Sequence, residues 1–468
     1  MSFITRTRPI EVAEHADSGL KRTLGWPHLV ALGVGAIIGT GIYTLTGVAA
    51  GLAGPAVILS FMVAGAVCAF AALCYAEMAT MIPAAGSAYT YTYAALGELL
   101  AWIIGWSLIL EYTVVCSAVS VGWSGYFSGM VQQAGLPIPA ALLAGPGAGG
   151  LVNLPAIFIA LLVTGLLLLG TRESATVNFV LVLVKMAALA AFVALTLPHF
   201  DAANFRPFAP YGLGSAEDAE GVKRGMMAAA AIIFFAFYGF DAISTAAEEA
   251  KDPGRNLTIG IVGSMLLCTT IYMVVAAAAL GASPFQVFSE TAEPLAFILR
   301  ALDQPLAASV IAGAAVVALP TVIMVFMFGQ SRVFFAMARD GLIPQGLSKV
   351  NARGVPAAVT LMTGVIAAAI AGFLPLGEIA ALANAGTLAA FIATAACVMI
   401  LRVRAPDLPR AFRTPLWWLV APLAIAGCLY LFSSLPWSTI WRFLAWNVVG
   451  IGVYLAYGRA KSRLAASA

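Results

Sequence analysis

Three ionisable residues lie in the middle of long apolar segments, where an unpaired charge is costly. They are Glu111, Lys185 and Asp241. Loss of solvation disfavours the charged form of a buried lysine, so such a group can bind and release a proton near neutral pH. The sequence therefore predicts a proton-coupling role for Lys185. The alternative is a permanently charged structural lysine, paired with backbone carbonyls of the first apolar segment or with Asp241.

A glycine-rich interruption divides the first apolar segment at Gly39-Thr40-Gly41. Each glycine lowers helix propensity by roughly 1 kcal/mol relative to alanine, and the freed backbone groups must find partners in the protein, in water or in a ligand. The N–H groups of these three residues are suited to a carboxylate. The alternative is close helix packing through the Gly35–Gly39 pair.

A second interruption is predicted in the sixth apolar segment, where Gly239 follows a run of aromatic residues. Free carbonyls near Phe235 and Tyr238, together with that of Ile37 before the first interruption, are suited to an ammonium group. A zwitterionic α-amino acid would satisfy both sets of groups. Phe235, Phe237 and Tyr238 would close over it, although ordinary core packing is the alternative for these rings.

The composition requires that these residues be positioned by membrane helices, since 62% of the chain is hydrophobic and 10% is charged. Apolar runs long enough to cross about 30 Å of hydrocarbon predict twelve spans. They are approximately 28–50, 54–81, 98–129, 151–170, 174–198, 226–248, 258–281, 306–338, 355–374, 378–401, 415–434 and 438–457.

Paired interruptions in spans 1 and 6 are expected from an inverted repeat of five plus five helices, with a substrate site where the half-helices meet. The predicted organisation is a cytoplasmic N-terminal tail (1–27), a ten-helix core (28–401, with repeats 28–198 and 226–401), helices 11 and 12 (402–457) and a cytoplasmic C-terminal tail (458–468).

The distribution of charge predicts the orientation. If the N-terminus is cytoplasmic, 18 of the 24 lysines and arginines fall on the inner side, so both termini are expected there. The net charge of +3 then reflects topology and not a nucleic-acid surface. The first 27 residues lack the pattern of a signal peptide. Scattered cysteines and histidines and the lack of a phosphate-binding loop predict no metal site, no cofactor and no enzyme activity.

Several motifs, in order, carry a resemblance to a known family. They are the runs 20–24, 33–43 (Gly-Val-Gly-Ala-Ile-Ile-Gly-Thr-Gly-Ile-Tyr), 53–56, 75–77, 83–91, 105–112, 239–249 and 336–344 (Ala-Met-Ala-Arg-Asp-Gly-Leu-Ile-Pro). The chain resembles bacterial members of the amino acid, polyamine and organocation (APC) transporter superfamily, and is most similar to its cationic amino acid transporter branch.

The resemblance implies the leucine-transporter-like fold, with a site formed by spans 1, 3, 6 and 8. It places Glu111 and Asp241 near the substrate side chain, where they would favour cationic substrates or pair with hydroxyls or water. Similar proton-coupled members carry a lysine at the position of Lys185. The substrate-binding residues expected are Ile37, Ile38, Gly39, Thr40, Gly41, Glu111, Phe235, Phe237, Tyr238 and Asp241.

The function predicted is secondary active transport of L-amino acids by alternating access, as amino acid/proton symport in a bacterial plasma (inner) membrane. Neutral substrates such as alanine are preferred to cationic ones because the predicted pocket wall is apolar. The alternatives are an amino acid or polyamine exchanger of the same fold, and a membrane scaffold or sensor that binds an amino acid without moving it. Protons and the lipid bilayer are the expected partners, with a small membrane subunit as a further possibility.

Three further predictions concern single segments. Glu77, Glu248 and Glu249 near span ends are expected to snorkel to the interface or to contact a gate. The run 248–255 and the loop at Arg339 are expected to form an inner salt-bridge network. Met324 and Met327 on span 8 are candidates for a side-chain pocket, with core packing as the alternative.

Overall fold

The computed structural model describes residues 6–7, 24–84, 86–136, 139–169, 174–218, 221–247, 250–349 and 356–466. Helices make up most of this part of the chain, and its strands are two-residue segments in connecting loops. A helix satisfies its own backbone hydrogen bonds, which is why apolar segments in a membrane take this form.

The first ten helices are α1 (Trp26–Ile37), α2 (Thr40–Tyr43), α3 (Leu45–Ala53), α4 (Val57–Met81), α5 (Ala88–Ala95), α6 (Glu98–Gln133), α7 (Leu154–Leu169), α8 (Ser174–Thr196), α9 (Met226–Ile233) and α10 (Phe240–Thr245). The next are α11 (Pro253–Ala282), α12 (Phe285–Phe288), α13 (Pro294–Ala301), α14 (Pro305–Ala318), α15 (Pro320–Arg339), α16 (Ala357–Phe373), α17 (Leu376–Arg404), α18 (Trp417–Ser433), α19 (Trp437–Val453), α20 (Arg459–Lys461) and α21 (Arg463–Ala466). A 3-10 turn, Phe234–Ala236, follows α9. Two antiparallel pairs join β1 (Leu143–Ala144) to β2 (Val152–Asn153) and β3 (Ala216–Glu217) to β4 (Lys223–Arg224).

Eight helical stretches of the described residues are long and apolar enough to cross a membrane. They are Leu45–Met81, Glu98–Gln133, Phe179–His199, Met226–Thr245, Pro253–Ala282, Pro305–Arg339, Leu376–Arg404 and Trp437–Lys461. Four apolar helices of 10–17 residues are shorter: Trp26–Ile37, Leu154–Leu168, Ala357–Phe373 and Trp417–Ser433. The prediction of an all-helical protein with several membrane spans is confirmed. The number of full-length spans differs because α1 ends at an interruption after 12 residues and three other helices fall short of the spanning length.

Two groups of helices pack around the interruptions. In the first group α11 lies along α1 and α4, and α10 packs against all three. In the second group α6 lies along α7, α15, α16 and α17. Small residues permit the close approach in the first group, since a methyl group built on Gly33 of α1 would lie 2.5 Å from Ser264 Oγ of α11. Because α1 and α10 also contact α15, the interrupted helices lie between the two groups.

Glu77 joins α4 to α17 and to the segment before α18. Its carboxylate accepts hydrogen bonds from Nε and Nη2 of Arg402 at 2.8 Å each, from Nε of Arg410 at 3.1 Å and from the Thr414 N–H at 2.8 Å. The residue is only 1% exposed, so Glu77 does not snorkel to the interface. A carboxylate paired in this way is an internal tie between helices.

Glu98, the first residue of α6, makes a second buried tie. Its carboxylate accepts hydrogen bonds from the hydroxyls of Tyr93 at 3.0 Å, Tyr454 at 2.7 Å and Ser462 at 2.5 Å. The Arg463 N–H next to Ser462 donates to the Asp340 carbonyl at 3.0 Å. The last described segment of the chain is therefore bound to the starts of α6 and of the loop after α15.

Candidate binding site at the two helix interruptions

The first interruption separates α1 from α2 at Ile38 and Gly39, where the sequence predicts it. The Ile38 N–H still donates to the Val34 carbonyl at 2.9 Å. The first bonds of α2 run from the N–H groups of Ile42 and Tyr43 to the Gly39 carbonyl, at 3.2 and 3.3 Å. The N–H groups of residues 39–41 precede those bonds, where a helix leaves its donors without an intrahelical acceptor.

The second interruption lies between α9 and α10, and Asp241 stabilises it. Gly239 has φ +118°, a conformation that strongly favours glycine. In a continuous helix its N–H would donate to the Phe235 carbonyl, but here it donates to Asp241 Oδ1 at 2.9 Å. The other carboxylate oxygen accepts from the Tyr112 hydroxyl at 3.0 Å. The Asp241 side chain thus takes the place of the Phe235 carbonyl as the acceptor for the Gly239 N–H. The Phe235 carbonyl is left without that donor.

The two interruptions are in direct backbone contact. A methyl group built on Gly41 would lie 2.3 Å from Ala236 Cβ and 2.4 Å from its Cα. In the reverse direction, one built on Gly239 would lie 3.0 Å from the carbonyl carbon of Ala36. Each glycine therefore allows the backbone of the other interrupted helix to approach, which a larger residue would prevent.

A small cavity, about large enough for one water molecule in this conformation, lies at this crossing. It is lined by Ala36, Ile37, Gly39, Thr40, Gly41, Val115, Val119, Phe235, Tyr238, Val322 and Phe326. These residues come from the first interruption, α6, the segment after α9, and α15. Six of them were predicted: Ile37, Gly39, Thr40, Gly41, Phe235 and Tyr238. The hydroxyls of Thr40 and Tyr238 are buried and have no hydrogen-bond partner among the described residues, so the site offers polar atoms to a ligand.

The apolar part of the lining was not predicted residue by residue. Val115 and Val119 lie four positions apart on α6, as do Val322 and Phe326 on α15, so each pair lies on one helix face. In the sequence, Glu111 indicated this face of α6, because Val115 lies one helical turn after it. Met324 and Met327 do not line the cavity, and Met327 Sδ accepts from the Thr164 hydroxyl at 3.7 Å.

Four predicted binding residues lie outside the lining. The Phe237 ring packs on Phe61 and Tyr272, with centroids 6.1 and 5.2 Å away, as a core aromatic residue does. The Ile38 carbonyl accepts a hydrogen bond from Lys185, as described below. The Asp241 carboxylate accepts one from the Gly239 N–H. Glu111 is fully buried on α6, and neither of its carboxyl oxygens has a hydrogen-bond partner among the described residues.

Lys185 lies against the end of α1. The residue is fully buried on α8, and its Nζ donates to the carbonyls of Gly35 and Ile38 at 2.9 Å each. The Tyr272 hydroxyl donates to the Ile37 carbonyl between them at 2.6 Å. The carbonyls exposed by the first interruption are therefore bound by side chains of α8 and α11.

The cavity is closed in this conformation. All of its lining residues are buried, and Phe235, at 5%, is the most exposed of those other than glycine. Two hydrogen bonds join the segments that flank the interrupted helices. The N–H of Lys251, which follows α10, donates at 2.9 Å to the carbonyl of Leu24, which precedes α1. The Tyr126 hydroxyl on α6 donates at 2.5 Å to the carbonyl of Tyr43, the last residue of α2. A ligand can enter only after helices move. Glu248 and Glu249, expected in an inner salt-bridge network, lie outside the described residues.

The sequence of this chain is similar to those of known proteins. The model of the amino acid permease family matches residues 24–454. The branched-chain amino acid permease BcaP of Bacillus subtilis is 46% identical over 97% of this chain and 96% of its own length. The methylthioribose transporter of the same organism is 42% identical over 99% of this chain and its full length. The vacuolar cationic amino acid transporter 2 of Arabidopsis thaliana is 38% identical over 86% of this chain and 64% of its own length.

These proteins are named for transport, so the chain is a transporter and not an enzyme. The match covers the interruptions, the cavity and both helix groups. The resemblance carried by the sequence motifs is confirmed, and this chain belongs to the amino acid permease family.

Proposed function

We propose that this protein is a secondary active transporter that moves neutral, branched-chain L-amino acids together with protons across a bacterial plasma membrane. The observation that carries the proposal is the closed cavity at the crossing of two interrupted helices, where the N–H groups of residues 39–41 and the Phe235 carbonyl lack their usual helix partners. Its alternating access would move the first helix group relative to the second.

The backbone groups at the crossing are suited to both ends of an amino acid. The N–H groups of Gly39, Thr40 and Gly41 would receive the carboxylate. The Phe235 carbonyl, released by the Gly239–Asp241 bond, would receive the ammonium group, with Tyr238 beside it. The Ile37 carbonyl, already bound by Tyr272, can accept a second hydrogen bond through its other lone pair.

The lining favours a neutral side chain over a cationic one. Val115, Val119, Val322 and Phe326 supply an apolar wall, and the lining contains no aspartate, glutamate, lysine or arginine. A cationic side chain buried there would lose its hydration without a partner charge. The names of the permeases from Bacillus subtilis and Lactococcus lactis, both called BcaP, support a branched aliphatic side chain.

Proton coupling is assigned to Lys185. A charged ammonium binds carbonyls about twice as strongly as a neutral donor does, so protonation would strengthen its hold on Gly35 and Ile38. Loss of the proton would weaken that hold and release the end of α1 next to the carboxylate site. The alternatives remain exchange without net proton movement, and a lysine with a structural role alone.

For the architecture we propose twelve spans, in two repeats at 28–198 and 226–401 followed by two helices at 402–457, with both termini cytoplasmic. The eight long and four shorter apolar helices support the number of spans, because α1 and α2–α3 together would form one crossing. The interruptions fall in the first helix of each proposed repeat, as an inverted repeat requires.

Methylthioribose uptake is a second candidate, favoured by the 42% identity to a transporter of that name over the whole chain. This sugar has neither carboxylate nor ammonium group. It would leave the donors at 39–41 and the Phe235 carbonyl without charged partners, which disfavours its binding relative to an amino acid.

Uptake into proteoliposomes tests the proposal. Labelled leucine, isoleucine, valine, alanine, lysine, arginine and methylthioribose would be supplied with and without an inward proton gradient. We expect gradient-driven accumulation of the branched-chain amino acids and little uptake of lysine or arginine. Movement that requires internal amino acid but no gradient would establish an exchanger, and uptake of methylthioribose alone would contradict the proposed substrate.

A further inference from the structure

One side chain of α17 is bound to the end of α9, just before the second interruption. Asn384 is fully buried, and its Nδ2 donates to the Ala231 carbonyl at 2.7 Å and approaches the Ile232 carbonyl at 3.4 Å. These two residues lie in the last turn of α9. An amide donor on a neighbouring helix therefore binds the carbonyl end of the first half-helix.

The same helix also contacts the segment beyond the interruption. Phe391 lies seven residues, or two turns, after Asn384 and so on the same face of α17. Its ring centroid lies 5.6 Å from that of Phe234 and 5.0 Å from that of Phe240, which flank the interruption on either side. Asn384 is the polar member of this contact, and Phe391 is the apolar one.

The hydrogen-bond role of Asn384 is specific. Its Nδ2 is used, while its buried Oδ1 has no hydrogen-bond partner among the described residues. A buried amide that leaves its oxygen without a partner costs free energy, so the useful property of this side chain is its N–H donor. A residue of similar size that can only accept hydrogen bonds would place its oxygen next to these two carbonyl oxygens and would be repelled by them.

We propose that Asn384 is a positioning residue for substrate binding. It holds the end of α9, and this keeps the carbonyl and ring of Phe235, three residues after Ile232, at the cavity. Tyr238, three residues further along the chain, is positioned in the same way. This inference rests on the proposed function. It adds α17, which does not contribute to the cavity lining, to the elements that determine substrate affinity.

Asn384→Asp gives a test through pH. A carboxylate at this position would repel the Ala231 and Ile232 carbonyls, whereas a protonated carboxylic acid can donate its O–H to one of them. At pH 8 we expect the KM for the transported amino acid to be about tenfold above that of the wild type, the effect of losing one buried hydrogen bond. At pH 5.5 the ratio of the two KM values should fall towards one. Asn384→Leu should raise KM at both pH values.

Asn153→Asp is the matched control, because Asn153 is also buried but its Oδ1 accepts, from the Ser124 hydroxyl at 2.6 Å and the Ala156 N–H at 3.1 Å. An aspartate keeps this acceptor, so its KM ratio should not change with pH. Unchanged KM in both Asn384 variants, or a lower Vmax at constant KM, would show that Asn384 only stabilises the fold. If the wild type transports none of the substrates, the proposed function fails instead.

Hydrogen–deuterium exchange tests whether Asn384 holds the end of α9, and it needs no substrate. It uses Asn384→Asp alone, so the test still applies if Asn384→Leu does not fold. Amides 234–239 in Asn384→Asp should exchange faster than in the wild type at pH 8, with the difference reduced at pH 5.5. Equal exchange of these amides in the two proteins at both pH values would overturn the inference.

Discussion

Replacing Lys185 with methionine should uncouple transport from the proton gradient. Methionine has nearly the same length and leaves little cavity, so the main loss is that of two hydrogen bonds from a charged group to the carbonyls of Gly35 and Ile38, both at 2.9 Å. Each such bond contributes about 1.5–3 kcal/mol, or about 3–6 kcal/mol together. At about 1.4 kcal/mol for each factor of ten, the equilibrium between the held and released end of α1 would shift by about 10²–10⁴.

The assay is accumulation of the transported amino acid in proteoliposomes with an inward proton gradient. The variant should bring internal and external substrate to equal concentration and should still catalyse exchange, but should not accumulate. Lys223→Met is the matched control, since the Lys223 ammonium also contacts two carbonyls, those of Ser433 at 3.5 Å and Leu435 at 3.1 Å, outside the interrupted helices. Wild-type accumulation by the Lys185 variant, with only a lower melting temperature, would refute the coupling role.

Three other substitutions probe the contact between the interrupted helices and the two buried carboxylates Glu77 and Glu98. Gly41→Ala should abolish substrate binding, because the added methyl group would lie 2.3 Å from Ala236 Cβ. Binding is measured by the thermal stabilisation that the substrate produces. Gly313→Ala is the control and should bind normally, because a methyl group at Gly313 would have nothing within 4 Å. Glu77→Gln should lower the free energy of unfolding by about 3 kcal/mol, because its two arginine partners would be left with unpaired charges; an unchanged melting temperature would mean that the pairs contribute nothing. Ser462→Ala, which removes one hydroxyl from the Glu98 carboxylate, should cost about 1 kcal/mol in the same measurement and leave KM unchanged, and a raised KM would show that this tie reaches the site.

The helix interruptions could be predicted because their causes are local. Glycine lowers helix propensity wherever it lies, and Gly39, Gly41 and Gly239 stand in segments that are otherwise apolar enough to remain helical. Both interruptions occur where these residues predict them. Buried ionisable residues were also identifiable, since a charge in a membrane-length apolar run is rare whatever surrounds it.

The partners of those residues were less accessible to prediction. Asp241 was expected beside the substrate side chain, but in this conformation it accepts from Gly239 and Tyr112. The lining valines of α6 gave no signal of their own, because a membrane helix is apolar on its lipid face as well as on its buried face. Periodicity then cannot indicate which face meets a cavity.

The sequence by itself determined the class of protein, the family, the approximate positions of its apolar helices and the places where two of them are interrupted, because composition, glycine and local motifs are properties of the chain alone. Only the tertiary structure decided that Lys185 binds α1, that Asn384 binds α9, and that the two interruptions touch through Gly41 and Gly239. These contacts join residues far apart in the chain, and their existence depends on how the helices pack and not on any local pattern.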